Sequence, residues 1–193
     1  MTSRKKISAY ILCGGKSSRM KMDKGLLLYQ NKTFVENIIN AIEPITNSIF
    51  LVTNNDAYNI FGLPIISDIY KNKGPIGGIY TALKYTKTDK NLIISCDVPK
   101  ITTSILKKHL IENCENSDLT FVSDGENDFP LIGIYSKSIV QEFETAIKNN
   151  HLKLLRLIET LCINKILVEN KDASELMNVN TKDDLERLNI IQQ

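Results

Sequence analysis

The sequence predicts an α/β fold: a single doubly wound, Rossmann-like sheet, mainly parallel, with helices on both faces and at least one antiparallel strand. Three observations predict it. Short apolar runs alternate with segments of helical periodicity as far as Asn113. Each of the first four runs ends in a polar or glycine-rich cluster. Beyond that point two runs lie close enough together to pair as a hairpin.

The elements follow in order. Ile7 to Leu12 is a short apolar run ending in Gly14-Gly15, the pattern of a strand buried on both faces. Thr33 to Ile42 places Phe34, Ile38, Ala41 and Ile42 on one helical face, and Pro44 stops it. Ser48 to Thr53 and Leu63 to Ser67 are the next strands, Gly77 to Lys87 a helix, Asn91 to Ser95 a fourth strand and Thr103 to Asn113 a helix. Asp118 to Ser123 and Leu131 to Tyr135 form the hairpin. Ser136 to Lys148 and Leu152 to Leu161 read as helices, Ile163 to Val168 and Leu176 to Val179 as late strands. Thr181 to Ile191 is a last helix, with Thr181 as N-cap and Asp183-Asp184 in its first turn.

Composition narrows the function. The 193 residues suit one domain, 1–193, and the values of 42% hydrophobic and 24% charged are ordinary for a globular chain. A net charge of +2 gives no global field for nucleic acid or membrane, and no aromatic-basic stripe is present. The four cysteines include no Cys-x-x-Cys pair, so reduced thiols are expected rather than zinc or disulfides. The apolar run after Arg4-Lys5-Lys6 is too short for a secretory core, and a cytoplasmic monomer is expected.

Charge does concentrate locally. Lys16, Arg19, Lys21 and Lys24 surround Gly14-Gly15. Glycines let backbone approach a ligand, successive amides form an anion nest, and Arg19 and Lys24 add cationic donors. That combination suits a triphosphate, although a tight turn with solvated basic residues is the competing reading. The segment lacks both G-x-x-x-x-G-K-[ST] and G-x-G-x-x-G. Asp97 follows the apolar run Leu92 to Cys96 and could hold Mg²⁺ or simply cap a turn. Gly74-Pro75-Ile76-Gly77-Gly78 would let a base or sugar lie against backbone. Asn178-Val179-Asn180-Thr181 offers amides to a polar heterocycle, or a strand end and a cap. His109 and His151 have no partner at catalytic spacing.

These motifs, in this order, resemble the molybdenum cofactor guanylyltransferases of the MobA type. Leu12 to Leu26 matches the family's L-A-G-G-x-S-x-R-M-G-x-D-K-G-L, Gly74 to Gly78 its G-P-[LI]-x-G, Cys96 to Pro99 its C-D-x-P, Asp124-Gly125 and then Pro130 its D-G segment before a proline, and Asn178 to Thr181 its N-V-N-T. The resemblance implies GMP transfer from GTP to molybdopterin carrying molybdenum, with release of pyrophosphate. It implies that Leu12, Cys13, Gly14, Gly15, Lys24, Asp68 and Gly78 contact nucleotide, that Arg19, Lys24 and Asp97 serve catalysis, and that Asp97 holds Mg²⁺. Asn178 and Asn180 would lie on the molybdopterin side. The chain would then divide into a nucleotide-binding half at about 7–115 and an acceptor-side half at about 116–193. Recipient apoenzymes and other molybdenum-cofactor enzymes are the implied protein partners. Two residues depart from the pattern: Lys21 stands at a usual glycine and Cys13 at a usual alanine. An asparagine expected after the second strand is left open among Thr53, Asn54 and Asn55. A CTP-using relative, a non-catalytic nucleotide-binding protein and a pterin-cofactor carrier are the competing readings.

Overall fold

Why the sheet takes the observed order follows from strand burial. The computed structural model describes residues 6–14 and 23–190. Strand β1 (Ile7–Leu12) is buried along its whole length, so it must lie between neighbours and beneath helices on both faces. It pairs in parallel with β4 (Ile49–Val52) on one side and β6 (Lys90–Ser95) on the other. The seven-stranded sheet has the order β5-β4-β1-β6-β8-β7-β9, with β5 at Ile65–Ile66, β7 at Leu119–Ser123, β8 at Asp128–Ser136 and β9 at Ile163–Leu167. Only β8 runs against its neighbours, paired antiparallel with both β6 and β7. Strands from both halves of the chain therefore share one sheet.

Alternation along the strands builds a core on each face. Ala9, Ile11, Leu92 and Ile94 point to the side covered by α1 (Phe34–Ile42) and by Ile105, Leu106 and Leu110 of the helical stretch 103–113. Tyr10, Leu12 and Ile93 point to the side covered by α2 (Gly74–Tyr85) and α4 (Val140–Lys148). Helix α1 starts where expected, and Thr33 and Glu36 form a reciprocal capping box. Helix α2 is buried on almost every side from Ile76 to Leu83, which explains its weakly amphipathic sequence.

The differences from expectation have local causes. The stretch 103–113 is one turn of α-helix, α3 (Thr103–Ile105), then a π segment and a 3₁₀ turn. The Asn113 amide ends it by donating to the Lys108 and His109 carbonyls. Helix α5 is only Leu154–Ile158, and the third strand, expected over Leu63 to Ser67, shrinks to β5. Leu176 to Val179 is no strand. After α6 (Asn170–Ala173) a 3₁₀ turn covers Ser174–Leu176, and the chain then crosses the sheet edge. Leu176 and Val179 are buried without a ladder, because the Val179 N–H donates to the Asp97 carbonyl (2.9 Å) instead. A small hairpin, β2 (Leu28–Tyr29) and β3 (Lys32–Thr33), turns through Gln30 and Asn31, both at positive φ. Its Leu27 and Tyr29 pack with Phe34, Val179 and Leu188, the last from α7 (Lys182–Ile190).

Ile94 lies in the central strand β6 and is wholly buried. Ile94→Ala should lower the unfolding free energy by about 2–5 kcal/mol. Urea unfolding measures it, and a loss below about 1 kcal/mol would show that the site collapses around the smaller side chain.

Candidate functional site

The pairing register decides which residues meet. Leu12 pairs with Val52 and with Ser95, and Val52 pairs with Ile66. These are the last residues of four parallel strands, so the polar segments after them leave the sheet at one edge: Cys13-Gly14, Thr53-Asn54-Asn55, Ser67-Asp68 and Cys96-Asp97. Ligands of doubly wound sheets bind at this carboxyl edge.

Lys24 stands at the start of a short 3₁₀ turn, Lys24–Leu26, capped by Asp23. The Asp23 Oδ1 accepts from the Gly25 N–H (3.3 Å) and from the Tyr58 hydroxyl, and Oδ2 accepts from the Asn55 amide (2.9 Å). From that base the Lys24 side chain reaches across the edge. Its Nζ donates to Asn180 Oδ1 at 2.5 Å and lies 3.7 Å from Asp97 Oδ2. Both charged side chains are largely shielded, 18% and 16% exposed. Asp97 Oδ1 is buried and has no hydrogen-bond partner among the described residues.

The Asn178 to Thr181 segment is pinned at both ends. Its Val179 N–H is bound to Asp97, as above, and the Asp184 carboxylate accepts from the N–H groups of Asn180 (2.9 Å) and Thr181 (2.8 Å). Thr181 returns the contact by accepting from the Asp184 N–H, so it caps α7 as its sequence position suggested. Asn178 is exposed beside this strap, and the Lys24 ammonium bonds to Asn180 instead.

The third group lies on the other side of β1. Asn54 and Asp68 clasp each other: the Asn54 amide donates to Asp68 Oδ2 (2.8 Å) and the Asp68 N–H donates to Asn54 Oδ1 (3.2 Å). Burial pushes the Asp68 carboxyl above its ordinary range, and the Asn54 amide partly offsets this. Thr81 ties the same loop to α2, accepting from the Ile69 N–H and donating to the Gly77 carbonyl. Helix α2 begins with no side-chain cap, which leaves amides at its first turn for a ligand. Gly78 is packed on β1, where an added β-carbon would stand 3.3 Å from Leu12 Cδ2.

Of the residues singled out from sequence, the structure brings Lys24, Asp97 and Asn180 into contact. It sets Leu12, Cys13, Gly14, Asp68 and Gly78 along the same edge. Gly15, Arg19 and Lys21 lie outside the described residues. Cys13 and Cys96 are free, buried neighbours at the ends of β1 and β6, and burial drives the Cys13 thiol far above its normal range. Its thiol is packing, as an alanine there would be. The open asparagine assignment divides: Asn54 holds Asp68, Asn55 holds Asp23, and Thr53 is buried. Sequence reasoning missed Asp23 and Tyr58. Asp23 was visible beside Lys24, but its role depends on a segment 35 residues away. A separate groove of about 720 Å³ lies between α4 and α5, and Lys24, Asp68, Asp97 and Asn180 do not line it.

The sheet order defines the class: a doubly wound α/β protein whose polar segments gather at the carboxyl edge of the sheet. The model of the MobA-like NTP transferase domain matches residues 9–164, and the chain belongs to that family. A Flavobacterium johnsoniae protein named "Probable molybdenum cofactor guanylyltransferase" is 42% identical, over 95% of this chain and 97% of its own. The molybdenum cofactor guanylyltransferase of Vibrio campbellii is 31% identical over 91% of each. Among solved structures, molybdopterin-guanine dinucleotide biosynthesis protein A from Archaeoglobus fulgidus superimposes with a TM-score of 0.80 at 23% identity, covering 95% of this chain and 97% of that one. A nucleotidyl transferase from Methanothermobacter shares the fold at a TM-score of 0.74 and 16% identity, covering 94% and 95%.

Asn54→Ala removes a donor to the charged form of Asp68, so the Asp68 pKa should rise further. A raised native pKa means that the carboxyl's contribution to stability is present at low pH and lost as pH climbs through that pKa. NMR titration of the side-chain carboxyl reads the shift. A fall in the variant would show that Asn54 does not stabilise the carboxylate.

Proposed function

We propose that this chain transfers GMP from GTP to the terminal phosphate of molybdenum-molybdopterin, giving the guanine dinucleotide form of the cofactor and pyrophosphate. The observation that carries the reading is the Lys24 bridge. One ammonium touches Asp97 of the nucleotide-side edge and Asn180 of the acceptor-side strap, so both substrates would meet at it. The names of the relatives support the base and the acceptor.

The chemistry asks little covalent help of the protein. An acceptor phosphate oxygen forms a bond to the α-phosphorus of GTP, and the bond from that phosphorus to the bridging oxygen of pyrophosphate breaks. The attacking group is already an anion, so no side-chain base is required. Lys24 places positive charge beside the triphosphate, and the uncapped start of α2 adds backbone donors. Asp68, held by Asn54, and the surface of Gly78 over Leu12 would receive the nucleoside. Asn180 and Asn178 would receive the pterin side.

Asp97 fits a magnesium ligand. It supplies one shielded carboxylate with a buried oxygen that no described residue satisfies, and Mg²⁺ is commonly held by one or two carboxylates plus substrate phosphates. When bound, the ion would supply positive charge to the phosphate oxygens. Among the described residues no cluster of three or more His, Cys, Asp or Glu side chains could hold a metal without substrate. No described helix is long and apolar enough to cross a membrane. The free thiols suit a reducing compartment, and we place the reaction in the cytoplasm.

Incubation with molybdenum-molybdopterin and each of GTP, CTP, ATP and UTP, followed by mass analysis, tests base and acceptor together. The guanine dinucleotide should form fastest. A cytosine product in its place would reassign the enzyme, and no product with any nucleotide would remove the activity. Asp97→Asn should lower transfer by at least about 100-fold while leaving the melting temperature near wild type. Full Mg²⁺-dependent transfer in that variant would sink the metal role.

A further inference from the structure

We propose that Tyr58 is a positioning residue for the nucleotide: it fixes the Asp23 carboxylate, which in turn sets the turn that aims Lys24. This rests on the phosphate role of Lys24 given above. Tyr58 is wholly buried in a 3₁₀ segment, Asp56–Phe61, in the core on the opposite face of the sheet from α2. Nothing else in the reaction uses it, yet it carries a polar group into the core, which is costly unless that group is bonded.

The hydroxyl finds its partner in Asp23 Oδ1. Burial pushes the Tyr58 phenol well above its ordinary range, so it remains a donor at any working pH. Asp23 also accepts from Asn55, and Asn55 in turn caps the Tyr58 segment by accepting from the Ala57 N–H at 3.0 Å. The two segments thus hold each other by two separate routes. Gly25 completes the lock: a β-carbon there would strike the Tyr58 hydroxyl and Val35 Cγ2. Only glycine lets the turn sit this close. Lys24 lies between Asp23 and Gly25, both packed against the Tyr58 hydroxyl, so the direction of its side chain depends on that contact.

The test is a double-mutant cycle on Mg²⁺-GTP affinity, with wild type, Tyr58→Phe, Lys24→Ala and the double variant, each measured well below its melting temperature. Tyr58→Phe should weaken binding about tenfold, the loss of one buried hydrogen bond to a charged group. The double variant should bind no more weakly than Lys24→Ala alone, because Tyr58 acts through Lys24. Losses that simply add overturn the inference, as does unchanged affinity in Tyr58→Phe. No effect of Lys24→Ala overturns the phosphate role of Lys24 and this inference with it, which separates the two failures. A Tyr58→Phe protein that does not fold is replaced in the same cycle by Asn55→Ala, an exposed position whose change removes the other side-chain donor to Asp23.

Discussion

The Lys24 side chain spans the gap between the Asp97 carboxylate and the Asn180 amide, and three stretches of chain far apart in sequence depend on that span. It carries the turn at Lys24–Leu26 to the end of β6 and to the strap before α7. The backbone repeats the connection one bond away, where Val179 donates to the Asp97 carbonyl. A satellite core does the rest of the holding. Leu27 and Tyr29, just past the lysine, pack with Val179 and Leu188, just around the asparagine. Apolar burial fixes the two segments beside each other, and the polar contacts then fix their angle.

The sheet sets the distance scale on which this works. Parallel pairing with no offset between Leu12, Val52 and Ser95 ends three strands at one level, so the residues that follow emerge side by side. A slip of one residue would send Asp97 to the opposite face and bury Cys96 elsewhere. The strands cannot slip, because both faces are packed: Ile11 and Ile94 on one side, Leu12 and Ile93 on the other. Precision at the edge is thus a by-product of core packing rather than of the edge residues themselves.

Much of this was legible in the sequence, for reasons that also mark where legibility ends. The apolar runs Ile7 to Leu12 and Leu92 to Cys96 and the polar residues that follow them are local signals, and Lys24 and Asp97 could be named from them, whereas Asp68 was named through the family resemblance. Leu176 to Val179 misled because buried apolar residues at a crossing look like a strand. Whether they join a ladder depends on Asp97, some eighty residues earlier. The β2–β3 hairpin was missed because two-residue strands carry almost no periodicity, and Gln30-Asn31 lacks the glycine that usually marks a two-residue turn. Asn54 and Asn55 were adjacent candidates for one role, and only the fold shows that they turn to different carboxylates. Tyr58 was not singled out at all. Its meaning lies in an acid 35 residues away, and no local pattern carries that.

The energy of the bridge bears on how the site could work. At 3.7 Å and an effective dielectric of about 20, the Lys24–Asp97 attraction is on the order of 4 kcal/mol before desolvation. Two largely shielded charges lose most of that to the cost of leaving water. The pair therefore contributes little to stability, and its value is geometric. A triphosphate entering the edge would offer Lys24 an anion as good as the one it gives up, while Asp97, released, would face the cation that travels with the nucleotide. The exchange is close to neutral for the protein because each group leaves one opposite charge for another. Under the proposed reaction, that near-balance lets a single lysine hold the edge in shape and still be free to bind substrate. It also places the demand for accuracy on whatever fixes the base of the lysine, which is the Asp23 turn.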